Sequence, residues 1–322
     1  MRVLITGGGG FIGSHLVDSQ LAQGNHVRTI DLNLDRLLHV ASHSKLEMVQ
    51  GSITDFDLLP ELMQGIDVIY HLASAHLDVT LSDADYELVN VQATKQLLQV
   101  AFEADAQRFV HCSTNGVVGE INDPPVDETA VCRPTNVYER TKLVGEEVAL
   151  RFREKTRFPV VIIRPSWVYG PRCPRTAKLI RTVRKRQFIM FGDGKTLRHP
   201  VYISDAIKGM ELAAKSSLAG GAIYFIAGQQ YLTIDELVHM IAEVLNVQPP
   251  FLHLPLMLGK MAGYSLETAF KPLGRRPPIS QRSLDFYTKD NAYNIDKARR
   301  ELGFIPGIDL RNGLQKTLAA MP

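Results

Sequence analysis

Tyr138-Glu139-Arg140-Thr141-Lys142 sets a phenol and an ammonium four residues apart. On a helix that spacing puts both side chains on one face. A neighbouring ammonium favours phenolate, drawing a tyrosine pKa from its usual ~10 toward neutral pH. Such a phenol can exchange a proton with an alcohol whose carbon is being oxidised. The spacing alone selects nothing. With 10 tyrosines and 14 lysines in 322 positions, about 0.4 such pairs arise by chance, and the chain holds two. The second is Tyr293-Asn294-Ile295-Asp296-Lys297. Context separates them. Tyr138 follows a strand-like run ending His111-Cys112-Ser113-Thr114, which supplies hydroxyls at the carboxyl edge of a sheet, where open α/β sheets bind ligands. Tyr293 lies far down the chain, where packing or surface accounts for it.

Thr6-Gly7-Gly8-Gly9-Gly10-Phe11-Ile12-Gly13 lies between an apolar run and a helical pattern. Its glycines fit both G-x-G-x-x-G (Gly8, Gly10, Gly13) and G-x-x-G-x-x-G (Gly7, Gly10, Gly13). In that context they allow a tight turn, close backbone approach to a pyrophosphate, and close helix–strand packing. The helix that follows offers unpaired N–H groups and the positive end of its dipole. Asp31 ends the next strand-like run, 18 residues after Gly13. A carboxylate there accepts hydrogen bonds from ribose hydroxyls and repels a 2′-phosphate, so NAD is expected over NADP. A flexible glycine turn is the plain alternative.

Those residues need a scaffold that brings strand ends together. Val3–Ile5, His26–Ile30, Leu46–Gln50, Val68–Leu72, Arg108–Cys112, Val160–Ile163 and Ala222–Ile226 read as buried strands. Ile12–Gln23, Phe56–Met63, Tyr86–Glu103, Ile203–Lys215, Thr233–Leu245 and Ile295–Leu302 carry apolar residues at helical spacing. This alternation predicts a parallel sheet with helices on both faces. The expected fold is α/β, a Rossmann-type doubly wound parallel sheet with a smaller mixed α/β C-terminal substrate-binding region. Residues 1–164 are expected to bind the dinucleotide and carry the catalytic groups. Residues 165–322 form mainly the substrate region, with some elements returning to the main sheet.

Composition excludes several classes. Against 36 basic residues stand 34 acidic ones, so no global field attracts nucleic acid. Hydrophobic residues at 45% and charged residues at 22% argue against disorder. Cys112, Cys132 and Cys173 show no C-x-x-C spacing, so neither a disulfide framework nor a structural zinc site is expected, and a reducing cytoplasm fits. No apolar run approaches the ~18 residues of a membrane span. His39 and His43 are four apart, but no partner ligands accompany them, so no metal is expected.

Taken together, the chain resembles the extended short-chain dehydrogenase/reductase family, of the NAD-dependent epimerase/dehydratase type. That family includes nucleotide-sugar epimerases and dehydratases and the 3β-hydroxysteroid dehydrogenases. The resemblance rests on Thr6–Gly13, Asp31, Tyr70–Ala73, Asn90 with Thr94, Phe109–Gly119, Tyr138 with Lys142, Arg164–Pro171 and Gly192–Asp205. It implies that Tyr138 is the acid/base and that Lys142 tunes it and holds the nicotinamide ribose. The hydroxyl partner falls on Thr114, five residues before Gly119, with Ser113 as the alternative because Val118 replaces the usual aromatic. The cofactor would be lined by Gly7, Gly10, Phe11, Ile12, Gly13, Asp31, Leu72, Ala73 and Ser74, with Ser52 and Ile53 beside the adenine. Asn90 would help order the site. The helical patterns Ser82–Ala104 and Tyr138–Arg157 would pair with their mates in a homodimer.

The same resemblance leaves the substrate open. Arg198 matches an arginine that reaches a nucleoside diphosphate, and Arg282 is the nearest counterpart of a second. Trp167 stands where nucleotide-sugar enzymes often carry Asn, and an indole suits a flat apolar alcohol. A nucleotide-sugar epimerase, dehydratase or reductase is therefore the leading expectation, and a 3β-hydroxysteroid-dehydrogenase-like oxidoreductase the alternative. A non-catalytic NAD-binding sensor would not need both Tyr138 and Lys142. Two further features stay open. Arg172, Arg175, Lys178, Arg181 and Arg184 recur every third residue, as a solvated helix face or an anion-attracting rim. Phe251–Tyr264 is apolar, read as a packed helix, a lid or a membrane-touching surface.

Overall fold

The computed structural model describes residues 1–76, 80–250, 252–270 and 281–321. The first strands are β1 (Arg2–Thr6), β2 (His26–Asp31), β3 (Leu46–Gln50), β4 (Val68–His71), β5 (Arg108–Cys112) and β6 (Val160–Pro165). There follow β7 (Trp167–Tyr169), β8 (Met190–Phe191), β9 (Leu197–Arg198), β10 (Pro200–Tyr202), β11 (Ile223–Ile226), β12 (Leu232–Thr233) and β13 (His253–Leu254). The helices begin α1 (Phe11–Ala22), α2 (Leu59–Met63), α3 (Asp83–Glu87), α4 (Ala93–Glu103), α5 (Val137–Thr156) and α6 (Pro174–Arg184). They continue α7 (Ile203–Lys215), α8 (Ile234–Val244), α9 (Leu256–Phe270), α10 (Gln281–Thr288), α11 (Asp296–Leu302) and α12 (Leu310–Ala319).

Seven strands form one parallel sheet in the order β11-β6-β5-β4-β1-β2-β3. Val3 and Ile5 face one apolar layer with Leu16 and Val17 of α1, while Leu4 faces another with Leu59, Leu97 and Leu98. Burying alternate residues on opposite faces is why β1, β4 and β6 read as near-continuous apolar runs, whereas the edge strand β3 is only partly buried. The chain leaves β1 toward β2 on one side and returns to β4 on the other. The loops after β1 and β4 therefore open into one crevice at the carboxyl edge. From the later part of the chain, β11 joins this sheet with Ile223 opposite Ile162. The remaining strands form small two-stranded pairs, β10 with β7, β12 with β9, and β13 with β8.

The pattern expected over Ser82–Ala104 is one helix with a defect. Ser82 caps α3 in a capping box with Asp85, and Ala104 closes α4. Between them Leu88–Gln92 is a π turn. Single π turns inside helices recur at functional sites because the extra residue redirects side chains locally; this one carries Asn90.

Three differences from the expected elements have simple causes. The helix expected from Phe56 starts at Leu59, because Pro60 suits a first turn and turns precede it. Helix α12 was not anticipated, although Asp309 caps it by accepting from Asn312 N at 2.9 Å. Phe251 lies outside the described residues; the packed helix expected from there instead begins at Leu256, after β13. It lies down on its glycine side: a Cβ on Gly259 would fall 2.8 Å from the Phe191 ring. Met257, Leu258, Met261 and Tyr264 of α9 are left outside.

Candidate active site

The glycine loop is built for close approach. Gly7 has φ +77°, and a Cβ there would fall 2.6 Å from Ala73 N. A Cβ on Gly13 would fall 2.1 Å from Gly7 O, so the loop and α1 touch backbone to backbone. Gly10 is the N-cap of α1 and supplies no side-chain cap, leaving the first N–H groups of the helix for an anion. A Cβ on Gly10 would meet only Gly7 O within 4 Å, so the space over the helix end is open. Phe11 and Ile12 begin the helix half-buried. Across the crevice, Ala73 N donates to Thr6 Oγ1 at 3.2 Å and Leu72 N to Thr6 O at 3.0 Å.

Asp31 ends β2 with its carboxylate held from one side. Oδ2 accepts from Gly9 N at 3.0 Å and Oδ1 from Asn33 N at 3.2 Å. Each oxygen keeps acceptor capacity for a ribose hydroxyl. In the loop that follows β3, Ser52 pairs with Thr54 at 2.7 Å and Ile53 is buried. These features fit a dinucleotide whose pyrophosphate lies on α1 and whose adenosine lies toward Asp31. Asp31→Ala should therefore narrow a preference for NAD over NADP. Titration of the purified protein with both cofactors checks it, and stronger NADP binding by the unmodified protein would contradict the assignment.

Tyr138 sits in the first turn of α5, whose N-cap Asn136 accepts from Glu139 N at 3.0 Å. Lys142 follows one turn later and is buried, with Nζ donating to Cys112 O at 2.7 Å. The last carbonyl of β5 thus fixes the lysine beneath the carboxyl edge. Burial pulls its ammonium below the ordinary lysine value, and Cys112 and Glu146 oppose that pull. Thr114 caps the 3-10 turn Asn115–Val118, its Oγ1 accepting from Gly116 N at 3.1 Å. That turn packs on the start of α5, since a Cβ on Gly116 would lie 3.1 Å from Glu139 Cγ. Thr114 is half-buried at the edge, whereas the Ser113 hydroxyl is enclosed with no hydrogen-bond partner among the described residues. Sequence reasoning missed His76, whose ring meets the Tyr138 ring edge-on at 4.5 Å between centroids. Only its place shortly after β4 hinted at this.

The other Tyr-x-x-x-Lys is separated by its fold. Tyr293 precedes α11 and is buried, stacked on Phe225 at 4.5 Å, with its hydroxyl between Asn115 and Asn291. Burial pushes its phenol up. Lys297 lies 5.0 Å over the Tyr224 ring instead.

Beneath the site runs a buried polar chain. Thr6 Oγ1 meets His71 Nδ1 at 2.8 Å, and His71 Nε2 meets Thr94 Oγ1 at 2.9 Å. Asn90, in the π turn, accepts from Ser74 Oγ and Ala75 N and donates to Thr141 Oγ1, each at 2.9 Å. Asn90 therefore ties the loop after β4 to α5 one residue before Lys142. Burial, with help from the Lys142 charge, pulls His71 down to about 3, and burial pulls His199 to about 4. Both lie below the unfolded value, so the folded chain binds fewer protons across the interval between. Their contribution to stability is complete above about pH 6.5 and is lost as pH falls toward the folded values. The urea midpoint should fall between about pH 7 and about pH 5, and His71→Asn should flatten that slope. An unchanged midpoint would contradict it.

In the later part of the chain, Arg198 is buried. Nη1 donates to Leu197 O at 2.9 Å and Lys289 O at 2.6 Å; Nη2 donates to Asp285 O at 3.1 Å and to Phe286 O. Nε is enclosed with no partner among the described residues. The guanidinium thus holds the end of α10, where a cation complements the exposed carbonyls. Arg282 is in the first turn of α10, and its side chain lies outside the described residues. Trp167 is half-buried, 6.4 Å from the Phe286 ring and 6.2 Å from Tyr169. Arg172 is drawn away to α1, where Asp18 takes it at 2.8 Å. His39 shares the same carboxylate at 2.8 Å.

Residues 3–227 match the model of the NAD dependent epimerase/dehydratase family. The chain belongs to this family. It is an NAD-dependent enzyme of the extended short-chain dehydrogenase/reductase type. A relative from Escherichia coli O157:H7, N-acetyl-alpha-D-glucosaminyl-diphospho-ditrans,octacis-undecaprenol 4-epimerase, is 27% identical over 321 residues, covering 98% of this chain and 94% of its own. The 3 beta-hydroxysteroid dehydrogenase/Delta 5→4-isomerase of Mycobacterium tuberculosis is 30% identical over 335 residues, covering 98% and 89%. Among solved structures, the UDP-glucuronic acid 4-epimerase of Bacillus cereus, in complex with NAD, superposes with a TM-score of 0.82. It is 26% identical and the match covers 99% of this chain and 96% of that one. The Rossmann-like seven-stranded sheet is therefore the family's fold. Among the described residues no helix is long and apolar enough to cross a membrane.

Proposed function

We propose that this epimerase/dehydratase-family enzyme oxidises a secondary alcohol of a nucleotide sugar, as an epimerase or as a dehydratase or reductase. When bound, NAD supplies the hydride acceptor and donor. Tyr138 takes and returns the alcohol proton, Thr114 donates a hydrogen bond to the same oxygen, and Lys142 keeps a positive charge under both. The carrying observation is the Lys142–Cys112 anchor, which fixes that charge at the strand edge where the glycine loop also opens. Glycine-loop residues Gly7, Gly10, Phe11, Ile12 and Gly13, with Asp31, Ser52, Ile53, Leu72, Ala73 and Ser74, would line the cofactor. We assign cofactor binding and chemistry to residues 1–164 and most substrate contacts to 165–322.

Nucleotide-sugar binding draws support from the likeness to the B. cereus UDP-glucuronic acid 4-epimerase and from α10, which carries Arg282 and is held by Arg198. UDP or TDP should compete with substrate. Arg198→Ala should weaken that competition at least tenfold, about 1.4 kcal/mol, through loss of α10's anchor as much as of charge. The deciding experiment is turnover against a panel of nucleotide sugars and sterols with NADH absorbance followed. Sterol turnover with no nucleoside diphosphate binding would favour the second reading, a 3β-hydroxysteroid-dehydrogenase-like oxidoreductase. Trp167 beside Phe286 supports that reading, as an apolar wall for a flat substrate. We further propose a cytoplasmic homodimer pairing through α3–α4 and α5. The three free cysteines and the exposed Leu88 and Phe102 support this.

A further inference from the structure

Two surfaces remain once the site is accounted for. Between Gly170 and Gly192 the chain carries seven basic residues and no acidic one. Asp18 takes Arg172. Arg175, Lys178, Arg181, Arg184, Lys185 and Arg186 are exposed, and among the described residues none has a carboxylate at ion-pair distance. The inward side of α6 is apolar or small, through Thr176, Ile180 and Val183. The chain's net charge is only +2, so this is local segregation of charge rather than a property of the whole molecule.

Helix α9 shows the complementary feature. Met257, Met261 and Tyr264 are 67%, 61% and 66% exposed, and Leu258 is 49% exposed. Positions 257, 261 and 264 follow i, i+4, i+7 and form one stripe. No acidic residue stands between Leu256 and Leu266, and the exposed Lys260 interrupts the stripe. Gly259 and Gly263 face inward.

The two surfaces adjoin. Met190 of β8 lies opposite His253 of β13, and Met190 N donates to Leu252 O at 3.0 Å. Two-residue strands span about 7 Å, and Arg186 is four residues before Met190, at most about 14 Å of chain. Two carboxylates lie near the pair: Asp235 faces His239 at 3.4 Å and His253 at 4.0 Å, and Asp193 accepts from Lys195 N at 3.1 Å.

We propose that α6, its basic C-terminal turn and the outer stripe of α9 form a peripheral docking surface for a bilayer with anionic headgroups. A convex stripe of methionines and a tyrosine needs no shaped partner to be covered by acyl chains. The cluster of guanidinium and ammonium groups beside it meets negative headgroups. Nucleic acid would engage the basic helix and leave the apolar stripe in water. The inference is independent of which alcohol the enzyme oxidises.

The test is flotation of the full chain with vesicles of mixed phosphatidylglycerol and phosphatidylcholine, against phosphatidylcholine alone. Flotation is expected with the anionic vesicles. It should fall at least about tenfold on phosphatidylcholine alone and in about 0.5 M salt, where screening is short-ranged. Arg181→Glu/Arg184→Glu and Met257→Ser/Met261→Ser should each lose at least about tenfold, with NAD binding retained as evidence of folding. Lys155→Glu, on α5, should float normally. No flotation, or equal flotation on uncharged vesicles, overturns the proposal, and both arms use unmodified protein. It is equally overturned if the serine variant floats normally but changes oligomeric state, which makes the stripe a contact with a second copy. Loss of duplex DNA binding without loss of flotation in the Arg181→Glu/Arg184→Glu variant overturns it too.

Discussion

Tyr138→Phe is expected to lower kcat by roughly 10²–10⁴, the usual cost of losing a positioned acid/base, while NAD binding survives. The ring stays and its edge contact with His76 is kept; only the exchangeable proton is removed. Lys142 remains anchored on Cys112 O and keeps its place beneath the edge. The control is Tyr293→Phe, the chance pair's tyrosine. It removes a hydroxyl bonded to Asn115 and Asn291, which should cost about 1 kcal/mol of stability and little turnover. Single-turnover and steady-state rates with cofactor titration separate the two variants. If Tyr293→Phe were the damaging change, the site would have to be moved to the other pair.

This contrast also marks what could be read from the sequence. Both tyrosines have the same spacing to a lysine, and the strand before Tyr138, ending His111-Cys112-Ser113-Thr114, pointed to one. Periodicity located the seven sheet strands because residues such as Val3, Leu4 and Ile5 must bury both faces. It could not place partners that depend on long-range packing. Arg198 was legible as an arginine following a tight turn, but not as the residue that satisfies carbonyls at the end of α10, 87 to 91 residues away. His76 was illegible for the same reason: its contact with Tyr138 crosses from the loop after β4 to α5. Asn90 was visible as a polar residue on a helical pattern, whereas the π turn that swings it inward leaves no simple periodic signal. For α9, composition showed an apolar run, yet which side faces the protein is decided by where glycine permits close approach.

Glu146→Gln is expected to cost about 3–5 kcal/mol of unfolding free energy, the largest stability effect in the chain's described ion pairs. Glu146 lies one turn beyond Lys142 on the buried face of α5, and Arg164 is the penultimate residue of β6. The pair is 2% and 3% exposed and bidentate, with Arg164 Nε donating to Oε1 at 2.9 Å and Nη2 to Oε2 at 2.6 Å. Burial alone would pull the guanidinium down, and Glu146 reverses that. Gln keeps the shape and one acceptor oxygen but removes the countercharge and turns an N–H donor toward the guanidinium, leaving a buried cation beside the Cys132 sulfur at 3.3 Å and the Phe225 face at 5.7 Å. Other ion pairs, such as Arg140–Asp83 and Arg151–Glu147, are exposed and contribute little. Replacing both partners, as Glu146→Met/Arg164→Met, removes the uncompensated charge along with the pair. The double variant should therefore lose less than Glu146→Gln alone, which a urea-denaturation cycle measures. Glu146 also opposes the desolvation of Lys142, so the Gln variant should lose turnover even where it remains folded. The double variant loses the same carboxylate and should recover stability without recovering rate. Recovery of both together would mean that Glu146 acts on Lys142 only by holding α5 in place.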